Sequence, residues 1–323
     1  MEEVFFLTSA KPFKTIDEQL QILKDRKLII NNDDFTKRYL LSNNYYNIIN
    51  GYSKFFPQNG DDYINGTTFY EVARIYSFDN KMKEIFFKAI LAAESHIKSI
   101  FAYRFAEEYR DIPYAYLNIS CYDPDKTLNV ISTIAKLAGV VNDGKKAPAG
   151  SIRHYVDAYN DVPIWVLINK LDFGALRYTL SNSTPKVQNN VSRDLTNFAK
   201  RNISNVTIFP PEIMLDFMVN INQIRNICAH NNRLLDFKCN RDMKYWRPLH
   251  SLYGIASTDH RRDAYAVFLA LQCYLTSIEN RAFHNSVLYY MQKTARSLKS
   301  VQANEIFKTL GFPDNWYSQT PKK

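Results

Sequence analysis

Arg225, Asn226 and His230 are residues whose types and spacing could do chemistry on a charged substrate. They stand in Ile224-Arg225-Asn226-Ile227-Cys228-Ala229-His230-Asn231-Asn232-Arg233, where apolar residues spaced three to four apart end at Cys228 and the chain turns polar. Asn226 and His230 are four apart and share a helix face, with Arg225 rotated off it. A guanidinium holds a phosphate through two parallel N–H bonds. An imidazole with an ordinary pKa of about 6.5 moves protons at neutral pH. The three make a phosphodiester-handling set. Spacing alone also allows a plainer role, because Arg and His in a last helical turn complement the helix dipole and cap its carbonyls. No carboxylate cluster accompanies them, so the sequence offers no ligands for a two-metal mechanism, and no metal or cofactor is expected.

The chain beyond His230 adds charge. Arg225, Arg233, Lys238, Arg241, Lys244, Arg247, Arg261 and Arg262 face only Asp236, Asp242 and Asp259, so an excess of five of the chain's +9 lies within residues 225–262. His250 and His260 fall in this stretch too, and Tyr245 and Trp246 are interleaved with the cations. Cations contact a nucleic-acid backbone and aromatics stack on bases, so Arg233, Lys238, Arg241, Lys244 and Arg247 are candidate RNA-binding residues. For any one of them a solvated loop, with Trp246 buried, is an equal reading.

The elements that must position these groups read as helices. Thr15-Ile16-Asp17-Glu18 and Thr68-Phe69-Tyr70-Glu71 are capping boxes, each followed by an apolar stripe. Asn31–Asp34 starts a helix between them, and the aromatics of residues 43–52 are read as packing. The second box opens a helical segment to about Tyr109, as one long helix or two nearly continuous ones. A helix over 127–137 is expected to end at Gly139, with residues 142–150 as a loop and a short helix to Tyr159. Pro163 begins the next, interrupted near Phe173-Gly174, and Pro210-Pro211-Glu212 opens the helix that carries the motif. Thr258-Asp259 is expected to start a helix to about Glu279, with two shorter ones after it.

Composition agrees. Of 323 residues 46% are hydrophobic and only 9 are glycine, too few for the tight turns of a β-sandwich or barrel or for a Gly-rich nucleotide cradle. Cys121, Cys228, Cys239 and Cys273 form no C-x-x-C pair, against a disulfide scaffold or structural zinc. The start, Met1–Leu7, carries acid where a signal peptide needs base, and Ala264–Ile278 falls short of a membrane span. A cytoplasmic all-α protein without membrane contact is expected. Turn chemistry near Asn65-Gly66 suggests a boundary near residue 64.

At the motif the chain resembles a family. Arg225-Asn226-x3-His230 at a helix end looks like the Arg-x4-6-His motif of HEPN ribonucleases, and the whole chain resembles the Abi-like (AbiD/AbiF) abortive-infection proteins. The resemblance runs from Lys11-Pro12-Phe13 and Glu18-Gln19-Leu20 through Tyr39-Leu40, Asn44-Tyr45-Tyr46 and Gly51-Tyr52. It continues with Pro163-Ile164-Trp165, Phe173-Gly174 and residues 225–233, and ends at Gly311-Phe312-Pro313-x-Asn315-Trp316. It implies a multi-helical HEPN-like bundle, and with the boundary near residue 64 the chain is read as an N-terminal helical subdomain (1–64), a core (65–282) and a C-terminal helical extension (283–323). It also implies a toxin-like, metal-independent ribonuclease of phage defence, in which the ribose 2′-hydroxyl attacks its own phosphate and two motif copies pair across a homodimer. In that scheme His230 is the general acid or base, Arg225 stabilises the phosphorane and Asn226 positions the phosphate. HEPN domains often carry Glu-x3-Lys on a helix facing the motif, and Glu94 and Lys98 fit, although an ordinary ion pair has the same spacing. The chain holds no second Arg-Asn-x3-His, so a two-motif site needs a second protomer.

RNA is the expected partner, as substrate or as a bound small structured RNA, with a phage-derived trigger as a further one. Two other functions fit the same residues: a non-catalytic binder of structured RNA, and a helical scaffold that senses a phage protein.

Overall fold

A computed structural model describes residues 12–322, so the Met1–Leu7 start and Lys11 lie outside the described residues. The fold is all-α, and the only strands among the described residues are Gln58–Asn59 (β1) and Asp62–Tyr63 (β2), paired antiparallel around Gly60 at φ +62°. No helix among them is long and apolar enough to cross a membrane.

In chain order the α-helices are α1 (Ile16–Asp25), α2 (Asp33–Asn43), α3 (Phe69–Glu108), α4 (Thr127–Lys146), α5 (Ser151–Tyr159), α6 (Ile164–Leu167) and α7 (Phe173–Asn182). They continue with α8 (Pro185–Asn202), α9 (Pro211–Ala229), α10 (Arg247–His250), α11 (Ala264–Ala270), α12 (Ser277–Ala295) and α13 (Ala303–Thr309). The chain divides into two compact units: residues up to Lys81 with Leu288–Gln319, and Met82–Val287 with the residues from Thr320 on.

In the first unit the capping boxes form as their residues dictate. The Thr15 N–H donates to Glu18 at 2.7 Å and Glu18 N–H donates back to Thr15 Oγ1 at 3.2 Å. At α3, Glu71 Oε2 accepts from Thr68, and its other oxygen accepts from the Lys299 and Ser300 N–H groups and the Ser300 hydroxyl. One buried carboxylate thus caps α3 and holds a loop 229 residues away in sequence. Tyr52, from the aromatic stretch, is buried and donates to Asp79, whereas Tyr46 is exposed.

The second unit carries the motif. Met214, Phe217, Met218, Ile221 and Ile224 of α9 are fully buried, the stripe its spacing predicts. Two expectations fail here, and a third holds with a small shift. The α4 helix runs through Gly139 to Lys146, because Val130, Leu137 and Val141 keep one face buried on both sides of Gly139. Gly144 is not a breaker. A Cβ there would lie 2.7 Å from Ile152 Cδ1, so α5 packs where only hydrogen fits. The interruption expected near Phe173-Gly174 is present, at Leu171-Asp172, where Asp172 Oδ1 accepts the Ala175 N–H at 2.6 Å and starts α7. Thr258-Asp259 begins no helix. Asp259 closes a turn onto the Ala256 N–H, α11 starts behind Asp263, and the chain breaks again before a Thr276–Glu279 box opens α12.

Candidate active site

The motif closes α9 by backbone geometry. His230 is the C-cap residue, with its N–H on the Asn226 carbonyl at 3.0 Å. Asn231 takes the left-handed conformation at φ +53°, its N–H on the Cys228 carbonyl, and the Asn232 N–H reaches back to Ile227 at 3.0 Å. These are the two bonds of a Schellman ending, with asparagine in the position that glycine usually fills. The Asn231 side chain is itself held. Buried Lys83 of α3 donates to its Oδ1 at 2.6 Å, and Lys83 Nζ lies 3.4 Å from its carbonyl.

This ending decides what the motif presents. Asn226 and His230 are exposed, and Arg225 is half-buried with its guanidinium 5.7 Å from the centre of the Phe87 ring of α3. Arg225 Nε is buried and has no hydrogen-bond partner. The charge of Arg225 also reaches Asp172. Burial works against ionisation of that carboxyl, yet the Ala175 N–H, Lys136 at 3.3 Å and the Arg225 charge together hold it below the usual carboxylate range.

Glu94 and Lys98 form a largely buried ion pair at 2.7 Å, and Lys98 also donates to the Leu171 carbonyl at 2.7 Å. Glu94 lies seven residues beyond Phe87 along α3, about 10 Å at the helical rise. The pair lines a cavity that Arg225, Asn226 and His230 do not line. The structure therefore brings Arg225, Asn226 and His230 to one helix end and sets Glu94 and Lys98 further along α3.

The basic segment wraps onto a polar stripe of α9 that its sequence pattern hides. Asp216, Asn220 and Gln223, spaced four and three apart, hold it through backbone groups: Lys244 N–H to Asp216 at 2.7 Å, the Arg241 carbonyl from Asn220 at 2.9 Å, and Asn240 N–H to Gln223 at 3.0 Å. Asp216 also binds the Arg241 guanidinium at 2.7 Å. Lys238 stands 3.7 Å from Asp263, and Arg233 Nε donates to the Leu235 carbonyl. Lys244 and Arg247 are exposed and make no ion pair among the described residues. The aromatics do not alternate with these cations as free platforms, because Trp246 is buried and Tyr245 stacks on buried His250. Arg261 is structural. Its guanidinium donates to the carbonyls of Met243, Ala256, Ser257 and Asp259.

Among the described residues no three His, Cys, Asp or Glu side chains cluster as metal ligands. Sequence reasoning missed Lys83, Phe87 and Asp172 around the motif; only the 216/220/223 spacing carried a readable signal. No curated protein and no solved structure matches the chain. A family model, described as that of the Abi-like proteins, matches residues 38–236, from Tyr39-Leu40 of the series through the motif, with the segments at 11–23 and 311–316 outside it. The match covers more than half of the chain, which belongs to the Abi-like protein family, a membership that supports a role in abortive infection or phage defence.

Proposed function

We propose that the chain is a metal-independent endoribonuclease of phage defence whose site is built on the end of α9. The observation that carries the reading is the exposure of His230 and Asn226 on one helix end, with half-buried Arg225 in the same last turn and its guanidinium against Phe87. His230 takes the proton of a ribose 2′-hydroxyl as its oxygen bonds to the adjacent phosphorus. The bond to the 5′-oxygen then breaks, and that oxygen takes up a proton. Arg225 offsets the charge of the five-coordinate phosphorus, and Asn226 orients the phosphate. The products are a 2′,3′-cyclic phosphate and a 5′-hydroxyl.

One imidazole serves one of the two proton transfers at a time. A homodimer supplies a second His230, so that base and acid act together across the pair. Lys244 and Arg247, with Arg233, Lys238 and Arg241 near them, guide the RNA backbone to the helix end. A phage-derived trigger releases the activity in the cell. Purified protein incubated with RNA in a chelator should leave cyclic-phosphate ends, and His230→Ala should remove the cleavage while keeping the fold. Cleavage by the His230→Ala protein at the wild-type rate would refute this assignment. Retention of RNA by both proteins without cleavage by either would indicate a non-catalytic RNA binder.

A further inference from the structure

A cavity of about 1030 Å³ runs along α3 from Leu91 to Arg110, closed on one side by the Trp165–Asn169 turn. It lies within the second unit and belongs to neither the motif nor the basic segment. Its wall contains Glu94, 6% exposed, with Oε1 on Lys98 and Oε2 buried without any hydrogen-bond partner. A buried carboxylate oxygen without a donor is costly, so a group that supplies an N–H there is strongly favoured. The same cavity is lined by two exposed aromatic rings. Trp165 is 55% exposed although Ile164, Val166 and Leu167 of the same helix are buried, and Tyr103 is 62% exposed. Trp246 and Trp316, by contrast, are buried. The Pro163-Ile164-Trp165 segment has no part in the chemistry at α9.

The charges narrow the occupant. Glu94 is already neutralised by Lys98, and Glu107 by Arg104 at 2.8 Å, so a second cation at Glu94 meets Lys98 and is repelled. A neutral planar group with N–H donors has no such penalty. Such a group also stacks on an indole or a phenol ring. We infer that this cavity binds a nucleobase bearing an amino group, which donates to Glu94 and stacks on Trp165, since the Tyr103 ring already carries the Arg104 guanidinium at 5.1 Å. Guanine, adenine and cytosine meet the requirement. Uracil sets two carbonyls around its single N–H, and those face a carboxylate badly. Arg110 lies about 24 Å from Glu94 along the helix. It is exposed and makes no ion pair among the described residues, and so suits a phosphate only when the base belongs to a chain of several nucleotides.

The test uses the full-length protein, GMP, AMP, CMP and UMP, and a short single-stranded RNA with 2′-O-methyl riboses, which cannot be cleaved by 2′-hydroxyl attack. Its outcome is therefore separate from that of the ribonuclease reading. Saturable change in tryptophan fluorescence is expected with the amino-bearing probes, and UMP should bind about tenfold more weakly or worse. By calorimetry Trp165→Ala should weaken binding about tenfold or more without changing the melting temperature. Glu94→Gln should erase the preference over UMP. If the monophosphates bind, a free nucleotide suffices; if only the oligonucleotide binds, and Arg110→Ala weakens it, the base comes from RNA. Binding by Trp165→Ala as tight as wild type, or no saturable binding of any probe, would overturn the inference.

Discussion

Two regions of this molecule hold the same residue types in opposite states. At the end of α9, His230 is exposed because a Schellman ending places it at the C-cap, and half-buried Arg225 keeps an Nε without any hydrogen-bond partner. In the segment that follows, Arg261 and His250 are buried. Four backbone carbonyls take up the guanidinium of Arg261, and His250 Nδ1 accepts the Trp246 N–H at 2.8 Å. An arginine and a histidine therefore suggest chemistry only where the backbone does not already use them. The +5 excess of the segment shrinks by the same logic, since Arg261 builds the loop and Arg241 neutralises buried Asp216.

The contrast breaks most visibly by mutation of the two histidines. His230→Ala should lower metal-independent RNA cleavage by about 10²–10⁴-fold, the range for a general acid or base, with the melting temperature unchanged. His250→Asn should leave cleavage per folded molecule intact. A catalytic loss in the second, measured at matched folded fraction, would erase the distinction between the regions.

The arginines give the next effect. Arg261→Ala strands carbonyls of Met243, Ala256, Ser257 and Asp259, and should cost about 3–5 kcal/mol of stability in denaturant titrations. Arg225→Ala should move stability by about 1 kcal/mol or less, since it removes one cation–π contact, while cleavage falls. Equal destabilisation by both would mean that Arg225 is structural too.

His250 also sets a pH dependence. Burial pushes its pKa down to about 4, so the folded protein keeps it neutral while the unfolded chain takes up a proton near pH 6.5. Unfolding therefore binds a proton between those values, and stability declines as pH falls from about 6.5 to 4, by about 3 kcal/mol at most. Denaturant titrations across that window should show the slope in wild type and a flatter one in His250→Asn. No slope difference would mean that His250 is solvated.

How much of this was legible depended on the distance over which each cause acts. The boxes at Thr15 and Thr68 and the apolar stripe of α9 are written within one or two helical turns, and they form as read. The failure at Gly139 has a packing cause, the buried face that Val130, Leu137 and Val141 keep along α4, whereas at Thr258 a turn of Asp259 onto the Ala256 N–H takes the place of a helix start. The motif was legible as residue types in order. Its presentation was not, because Lys83 meets Asn231 across 148 residues and Arg225 meets Phe87 on another helix. Trp246 was open to two readings, a stacking platform among the cations or a buried ring under a solvated loop, and the second holds: it packs against Phe209 at 5.2 Å between ring centres.

The smallest effect tests how His230 is held in place. Asn231→Gly keeps the left-handed ending, since glycine adopts φ near +53° without strain, but it removes the Oδ1 acceptor from the Lys83 ammonium. Asn231→Ala removes the acceptor and adds the strain of a Cβ in that conformation. Glycine should therefore cost about 1 kcal/mol and alanine about 1 kcal/mol more. Both should slow cleavage less than His230→Ala does, alanine more than glycine, because a disturbed ending displaces the imidazole without deleting it. If the two variants were equally stable, the Schellman geometry would not be what holds His230 at the helix end.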